Sequence, residues 1–185
     1  MLDLMADALS KFLEDHSREF DPMERRRIQD EIATALTRLN TIGAEARHER
    51  NARLTSGPEI GPLLRTLLRL RHDIVMLGRV VGCELPADVS TRLKQPLAHV
   101  EAAGRDFLRG SAAALRAQKP PPPLEAVEQA FHDYIEEFGA VRHEGLTRDM
   151  KSESVERFFA LGFALEQLRE HLLEVHRVVG EWARD

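Results

Sequence analysis

Along residues 61–82, GPLLRTLLRLRHDIVMLGRVVG, apolar side chains at Leu63, Leu67, Leu70, Ile74, Leu77 and Val81 step by four and three. That spacing lines one side of an α-helix. On a helical wheel Leu64, Leu68 and Val75 widen the apolar side to about half the circumference, more than a surface helix needs. The pattern predicts a central helix covered by several others. Arg65, Arg69, His72 and Arg79 fall on the opposite face, whereas Arg71 projects from the middle of the apolar arc and needs a partner there. Gly61-Pro62 opens the helix where proline suits a first turn, and Gly82 is available to end it.

The most regular pattern closes the chain. Phe158, Leu161, Leu165, Leu168, Leu172, Val175, Val179 and Trp182 alternate three and four from about Ser152 onward, a bundle or coiled-coil seam. Ahead of the central helix, residues 2–20 predict a first helix with Leu2, Met5, Leu9, Phe12 and His16 on one side, followed by Phe20. Asp21-Pro22-Met23-Glu24 has the order of a capping box. It opens a second helix to about Leu54 with the stripe Ile28, Ile32, Ala35, Leu39, Ile42 and Ala46, roughly 50 Å long at 1.5 Å per residue. Ser56-Gly57-Pro58 breaks it.

Beyond Gly82, Pro86 begins a short helical turn to Leu93, and Pro96 starts a fresh helix, because an interior proline removes a backbone hydrogen bond. Leu97, Val100, Gly104, Phe107, Ser111 and Ala114 mark an inner face rich in small residues, where another helix can come close. Residues 118–123, QKPPPP, read as a stiff polyproline II loop between helices. Residues 124–145 then carry Val127, Phe131, Tyr134, Phe138 and Val141 on one side of a further helix. The expected fold is all-α, an antiparallel bundle of five or six long helices forming one domain over residues 1–185, with the central and final helices in direct contact.

Composition agrees and narrows the function. The chain is 43% hydrophobic, 31% charged and only 5% aromatic, and its abundant unbranched side chains lose little rotamer freedom in a helix. A net charge of -5 argues against a general nucleic-acid binder and leaves Arg25, Arg26 and Arg27 as a solvated face. The single cysteine, Cys83, excludes an internal disulfide. No run approaches the ~18 apolar residues of a membrane span, and the first residues carry Asp and Glu where a signal peptide is basic and then apolar. The chain as given is expected to be soluble, with no membrane span of its own.

Eight histidines raise the question of metal. Di-metal bundles use two Glu-x-x-His pairs and two further carboxylates, but one such pair exists, Glu45-x-x-His48, on the polar side of the second helix. Gln129 and Leu168 occupy the matching positions before His132 and His171. His171 and His176, five apart, point about 140° from one another. No nucleophile elbow, P-loop, dinucleotide fingerprint or zincin motif occurs. The expectation is a protein without catalytic residues, metal or cofactor.

The residue singled out for a site is Arg71. On the final helix Glu166 is placed comparably, among Val155, Phe159, Gly162, Phe163 and Leu173, and Gly162 and Gly78 leave room beside the two side chains. A buried Arg71–Glu166 ion pair is expected to pin the two helices, with Glu101 the alternative acid. In a second reading an acidic ligand competes with Glu166 for the Arg71 guanidinium, which suits bidentate carboxylate recognition. Arg71, Glu166 and the adjacent His72 are then the candidate ligand-binding residues.

Three stretches resemble one family. PLLRTLLRLRHDIVMLGRVVG, then LPADVSTRLKQPLAHVEAAGRDFLRGSAAALRAQKPPPPLEAVEQAF, then VERFFALGFALEQLREHLLEV are similar to the soluble region of bacterial FUSC proteins, the fusaric acid resistance-like family of inner-membrane proteins. The phrases LRHDIVMLGR and FALGFALEQL carry most of the resemblance, which covers about residues 25–182. It implies the helical domain of an aromatic-acid efflux transporter, at the cytoplasmic face of the inner membrane. There it would serve assembly, gating or partner contact, with the transmembrane portion of a longer parent as its partner and homo-oligomers compatible. This chain departs from the family by lacking the membrane segment, as an excised domain would. The alternative is a free-standing helical interaction or signalling module.

Overall fold

Six α-helices make up the computed structural model: α1 (Leu2–Leu13), α2 (Pro22–Arg53), α3 (Ile60–Val80), α4 (Ala87–Ala117), α5 (Glu125–His143) and α6 (Ser152–Trp182). The structure describes residues 1–13, 21–53 (backbone alone over 49–53), 59–81, 85–148 and 150–184. The expected His16, Phe20, Ser56-Gly57-Pro58, Gly82 and Cys83 features lie outside the described residues. No strand occurs among those described, and all six helices feed one apolar core.

The helix directions follow from which residues meet. Asp3, Asp7 and Ser10 of α1 bond Arg116, Arg109 and Glu101 of α4, in reverse order along the two helices. Arg92 of α4 reaches Glu137 and Glu144 of α5, while Pro122, just before α5, packs on Gly110. Gly43 of α2 meets Ile60 and Leu64 of α3, and Arg25 donates to the Gly78 carbonyl, 3.2 Å away. Phe138 of α5 stacks on Phe158 of α6, with ring centroids 4.1 Å apart, and Pro121 sits near Gly180 at the far end. Each of these neighbouring pairs is antiparallel. The proline-rich loop is therefore packed across the ends of α4 and α6 rather than standing free.

The seam of α6 is buried from Phe158 to Val179, with Trp182 half-buried at its end. α3 packs along α6 and also touches α2 and α1, and Leu67, Ile74, Leu165 and Leu172 are all buried. Arg65, Arg69, His72 and Arg79 face solvent.

Details of α4 and α2 differ from the expectation. Pro96 does not start a helix: α4 runs through it without a break. Val89, Leu93, Leu97 and Val100 are fully buried on both sides of the proline. One continuous apolar stripe in one groove outweighs the missing bond and ring clash, which cost about 3 kcal/mol in a helix interior. The second difference is on α2, where the buried residues are Ile28, Ile32, Leu36 and Gly43, while Ile42 and Ala46 are exposed. Among the described residues only α3 and α1 flank α2. Gly43 lets Ile60 approach, so the covered strip is narrower than the apolar stripe and turned toward Leu36 and Gly43.

Asp21 does cap α2, its carboxylate accepting the Met23 N–H at 2.9 Å. Glu24 does not complete the box and pairs with Lys11 at 3.4 Å instead.

Candidate functional site

Where α3 and α6 run side by side, the buried positions of α3 include Thr66, Leu70, Asp73 and Leu77. The spacing is four, three, four, so an aspartate occupies a core position. Opposite it on α6, His171 follows Leu168 by three and precedes Val175 by four, again on the inward side. The two meet: His171 Nδ1 is hydrogen-bonded to Asp73 Oδ2, with 4% of the Asp73 side chain exposed and 18% of the His171 side chain. Burial pushes the Asp73 carboxyl above its ordinary value. The bond from His171 and the nearby imidazoles of His171 and His72 offset this only in part. With Asp73 ionised, His171 donates through Nδ1 and keeps Nε2 for other contacts.

Above this pair the helices part into a groove of about 400 Å³, lined by Leu68, Arg69, His72, Asp73 and Met76 on α3 and by Ala160, Phe163, Ala164, Gln167 and His171 on α6. Ala160 and Ala164 are the small residues that hollow it out. Leu68 and Phe163 form a rim that stays wet, 43% and 62% exposed. Among the described residues, no hydroxyl or thiol side chain lines the groove. Among the described residues no three metal-ligating side chains converge.

Charge near the groove is lopsided. Arg69 and His72 stand on its α3 side without an ion pair among the described residues. On α6, Glu170 is paired with Arg169 at 2.9 Å and Glu174 with Arg177 at 2.7 Å. Glu174 is held below the ordinary carboxylate range chiefly by its bond to Arg177, with smaller help from Arg69 and His171.

A larger open trough, about 1170 Å³, follows α2 past Leu4, Met23, Arg26, Arg27, Asp30 and Arg38. It marks the uncovered flank of a long helix. Both signs of charge alternate along it, and Arg27 is neutralised by Glu24 and Glu31 at 3.8 and 3.9 Å, so no like groups converge there.

Of the residues expected to form a site, His72 alone reaches the groove. The buried Arg71–Glu166 pair does not form: Glu166 is exposed, and no ion pair joins the two. Arg71 is half-buried, and its Nε is enclosed without an acceptor. The spaces left by the two glycines are taken by phenylalanines, Phe12 of α1 against Gly78 and Phe138 of α5 against Gly162. Residues seven or four apart share a side of a helix, so Arg71 turns toward α1 and Glu166 toward α5. Glu101, the alternative acid, accepts from the Ser10 hydroxyl at 2.5 Å and from Arg105 at 2.9 Å. Glu45 and His48 are both exposed. His176 stacks on Phe107, with ring centroids 6.4 Å apart, away from His171's partner.

The pair that the sequence reading missed, Asp73 with His171, had a signal. Each is a titratable residue at a three-or-four step from apolar seam neighbours on both sides. No protein-family model matches the chain, and neither a curated protein nor a solved structure is similar to it.

Proposed function

We propose that this chain is a non-catalytic binding domain of a FUSC-like aromatic-acid efflux protein, and that it makes its assembly, gating or partner contact through the α3/α6 groove. The observation that carries this reading is a coincidence of position. The two phrases most responsible for the resemblance, LRHDIVMLGR and FALGFALEQL, supply seven of the ten residues lining the groove, His72, Asp73 and Met76 on α3 and Ala160, Phe163, Ala164 and Gln167 on α6, while Leu68, Arg69 and His171 lie just outside them. A polar pair buried beneath an exposed apolar rim is costly for a monomer that needs only a closed core, and this favours a binding role for that surface. Among the described residues no helix is long and apolar enough to cross a membrane, so in this reading a transmembrane portion of the parent supplies the permeation path.

The test is cell fractionation of the protein tagged at its natural locus, together with the coding sequence ahead of Met1. Recovery in the inner-membrane fraction with spans encoded upstream supports the transporter reading. A gene starting at Met1, with protein only in the soluble fraction, overturns it in favour of a free-standing helical interaction module.

A further inference from the structure

We infer that the α3/α6 groove receives an acidic amphipathic helix, whose apolar ridge enters between Leu68 and Phe163 and whose carboxylates meet the cationic stripe of α3. This rests on the binding role proposed above and names its partner. Between Ile60 and Val80 the only acid is Asp73, and it is buried against His171. What α3 shows to solvent is Arg65, Leu68, Arg69, His72 and Arg79, and among the described residues none of the three arginines has an ion-pair partner. On the α6 side Glu170 and Glu174 are already paired. Glu166, next to Gln167, also has no ion pair among the described residues but turns toward α5, so the uncompensated charge beside the groove comes from Arg65 and Arg69, in a chain whose net charge is -5.

The shape selects a helix. The slot lies between two helices, with Ala160 and Ala164 as its floor and Leu68, Met76 and Phe163 as its walls. Such a slot accepts side chains at i, i+3 or i+4, and i+7 of a third helix. A flat lipid surface reaches Phe163 but not the floor. A second copy docking by the same face across a two-fold axis would set the cationic stripe against itself.

The experiment uses the full 185-residue chain and fluorescence anisotropy with a labelled helical peptide of about five turns, leucine on one ridge and glutamate on its flanks. A second peptide has lysine in place of glutamate, and vesicles of phosphatidylglycerol provide the lipid arm. The expected result is that the glutamate peptide binds at least about tenfold more tightly than the lysine peptide and weakens between ~50 and ~300 mM salt, as exposed charge pairs do. Phe163→Ala and Arg69→Glu each weaken it about tenfold or more, the scale of a central anchor, while Arg109→Glu, on the α1/α4 side, leaves it unchanged. Phe163 and Arg69 are surface side chains, so circular dichroism and unfolding should match the parent chain.

Equal binding of both peptides, no binding of the glutamate peptide, binding to vesicles only, or indifference to both groove variants overturns the inference. Failure here with the protein in the inner-membrane fraction sinks the helix partner alone. Peptide binding by a protein found only in the soluble fraction sinks the transporter reading alone.

Discussion

Two helix pairs in this molecule have the most extensive contacts, α1 with α4 and α3 with α6, yet they treat charge in opposite ways. Along α1/α4 the buried residues include Met5 and Leu9 on α1 and Val100, Gly104 and Leu108 on α4, with Leu9 in the space beside Gly104, and the half-buried Glu101 accepts from the Ser10 hydroxyl. The charges stand at the edges and are matched, Asp3 with Arg116 at 3.0 Å and Asp7 with Arg109 at 2.7 Å. Along α3/α6 an acid is inside, cations are unmatched outside, and a groove stays open between apolar rims. A seam that only has to hold two helices together is best built the first way, because buried charge costs more than its pairing returns. The second arrangement leaves an open apolar rim above a buried polar pair. The contrast is what favours α3/α6 over α1/α4 as the binding face proposed above.

The largest effect should come from the structural seam. Leu9→Ala removes a fully buried side chain that fills the space left by Gly104 and should cost about 2–5 kcal/mol in denaturant unfolding. A cost below about 1 kcal/mol would mean that α1 is not integral to the core.

Next in size is the Asp73–His171 pair. His171→Leu leaves Asp73 buried without its hydrogen bond and should cost about 1–3 kcal/mol at neutral pH, whereas replacing both by leucine should be close to neutral. The pH dependence has a definite sign. Because the folded carboxyl binds its proton more tightly than the unfolded one, it costs nothing while protonated, below the ordinary value of 3.8, and costs progressively more as pH climbs through its raised folded value. Asp73→Asn should remove this component, so the gap in stability between variant and parent should shift in the variant's favour as pH rises from 4 toward 7. A gap that shifts the other way would mean that the buried carboxylate is a net stabiliser.

Smaller still is the edge pair Asp7–Arg109. Both side chains are about half exposed, so a double-mutant cycle to alanine should give a coupling of only about 0.2–1 kcal/mol, declining in high salt. A coupling above ~2 kcal/mol would contradict the view that these charges merely finish a seam made by apolar burial.

The smallest change in stability is expected at the groove rim and at Arg71. Phe163→Ala should move unfolding by no more than about 0.5 kcal/mol, as exposed positions do. Arg71→Met should be neutral or slightly stabilising, since it removes an enclosed Nε that has no acceptor. A loss of ~3 kcal/mol on Arg71→Met would reveal a partner for its charge.

What the chain's order of residues determined by itself is the set of helices and the inward side of most of them. The three-and-four spacing from Phe158 to Val179 and from Leu63 to Leu77 identifies burial without reference to any neighbour, because helix geometry alone puts those residues on one line. The solvent stripe Arg65, Arg69, His72 and Arg79 was legible for the same reason. The continuity of α4 through Pro96 was not, because the local penalty of proline is visible in sequence, while the compensating burial of Leu93 and Leu97 on either side depends on α1 and α5 being there. Nor was the choice of partner for a polar residue. A wheel gives Arg71 and Glu166 their angles within their own helices. Which neighbour fills the space beside them is decided by the relative rotation and height of helices far apart in the chain, and here Phe12 and Phe138 took those spaces. The same rotation brought Asp73 to His171, a contact between residues 98 positions apart that only the packed bundle specifies.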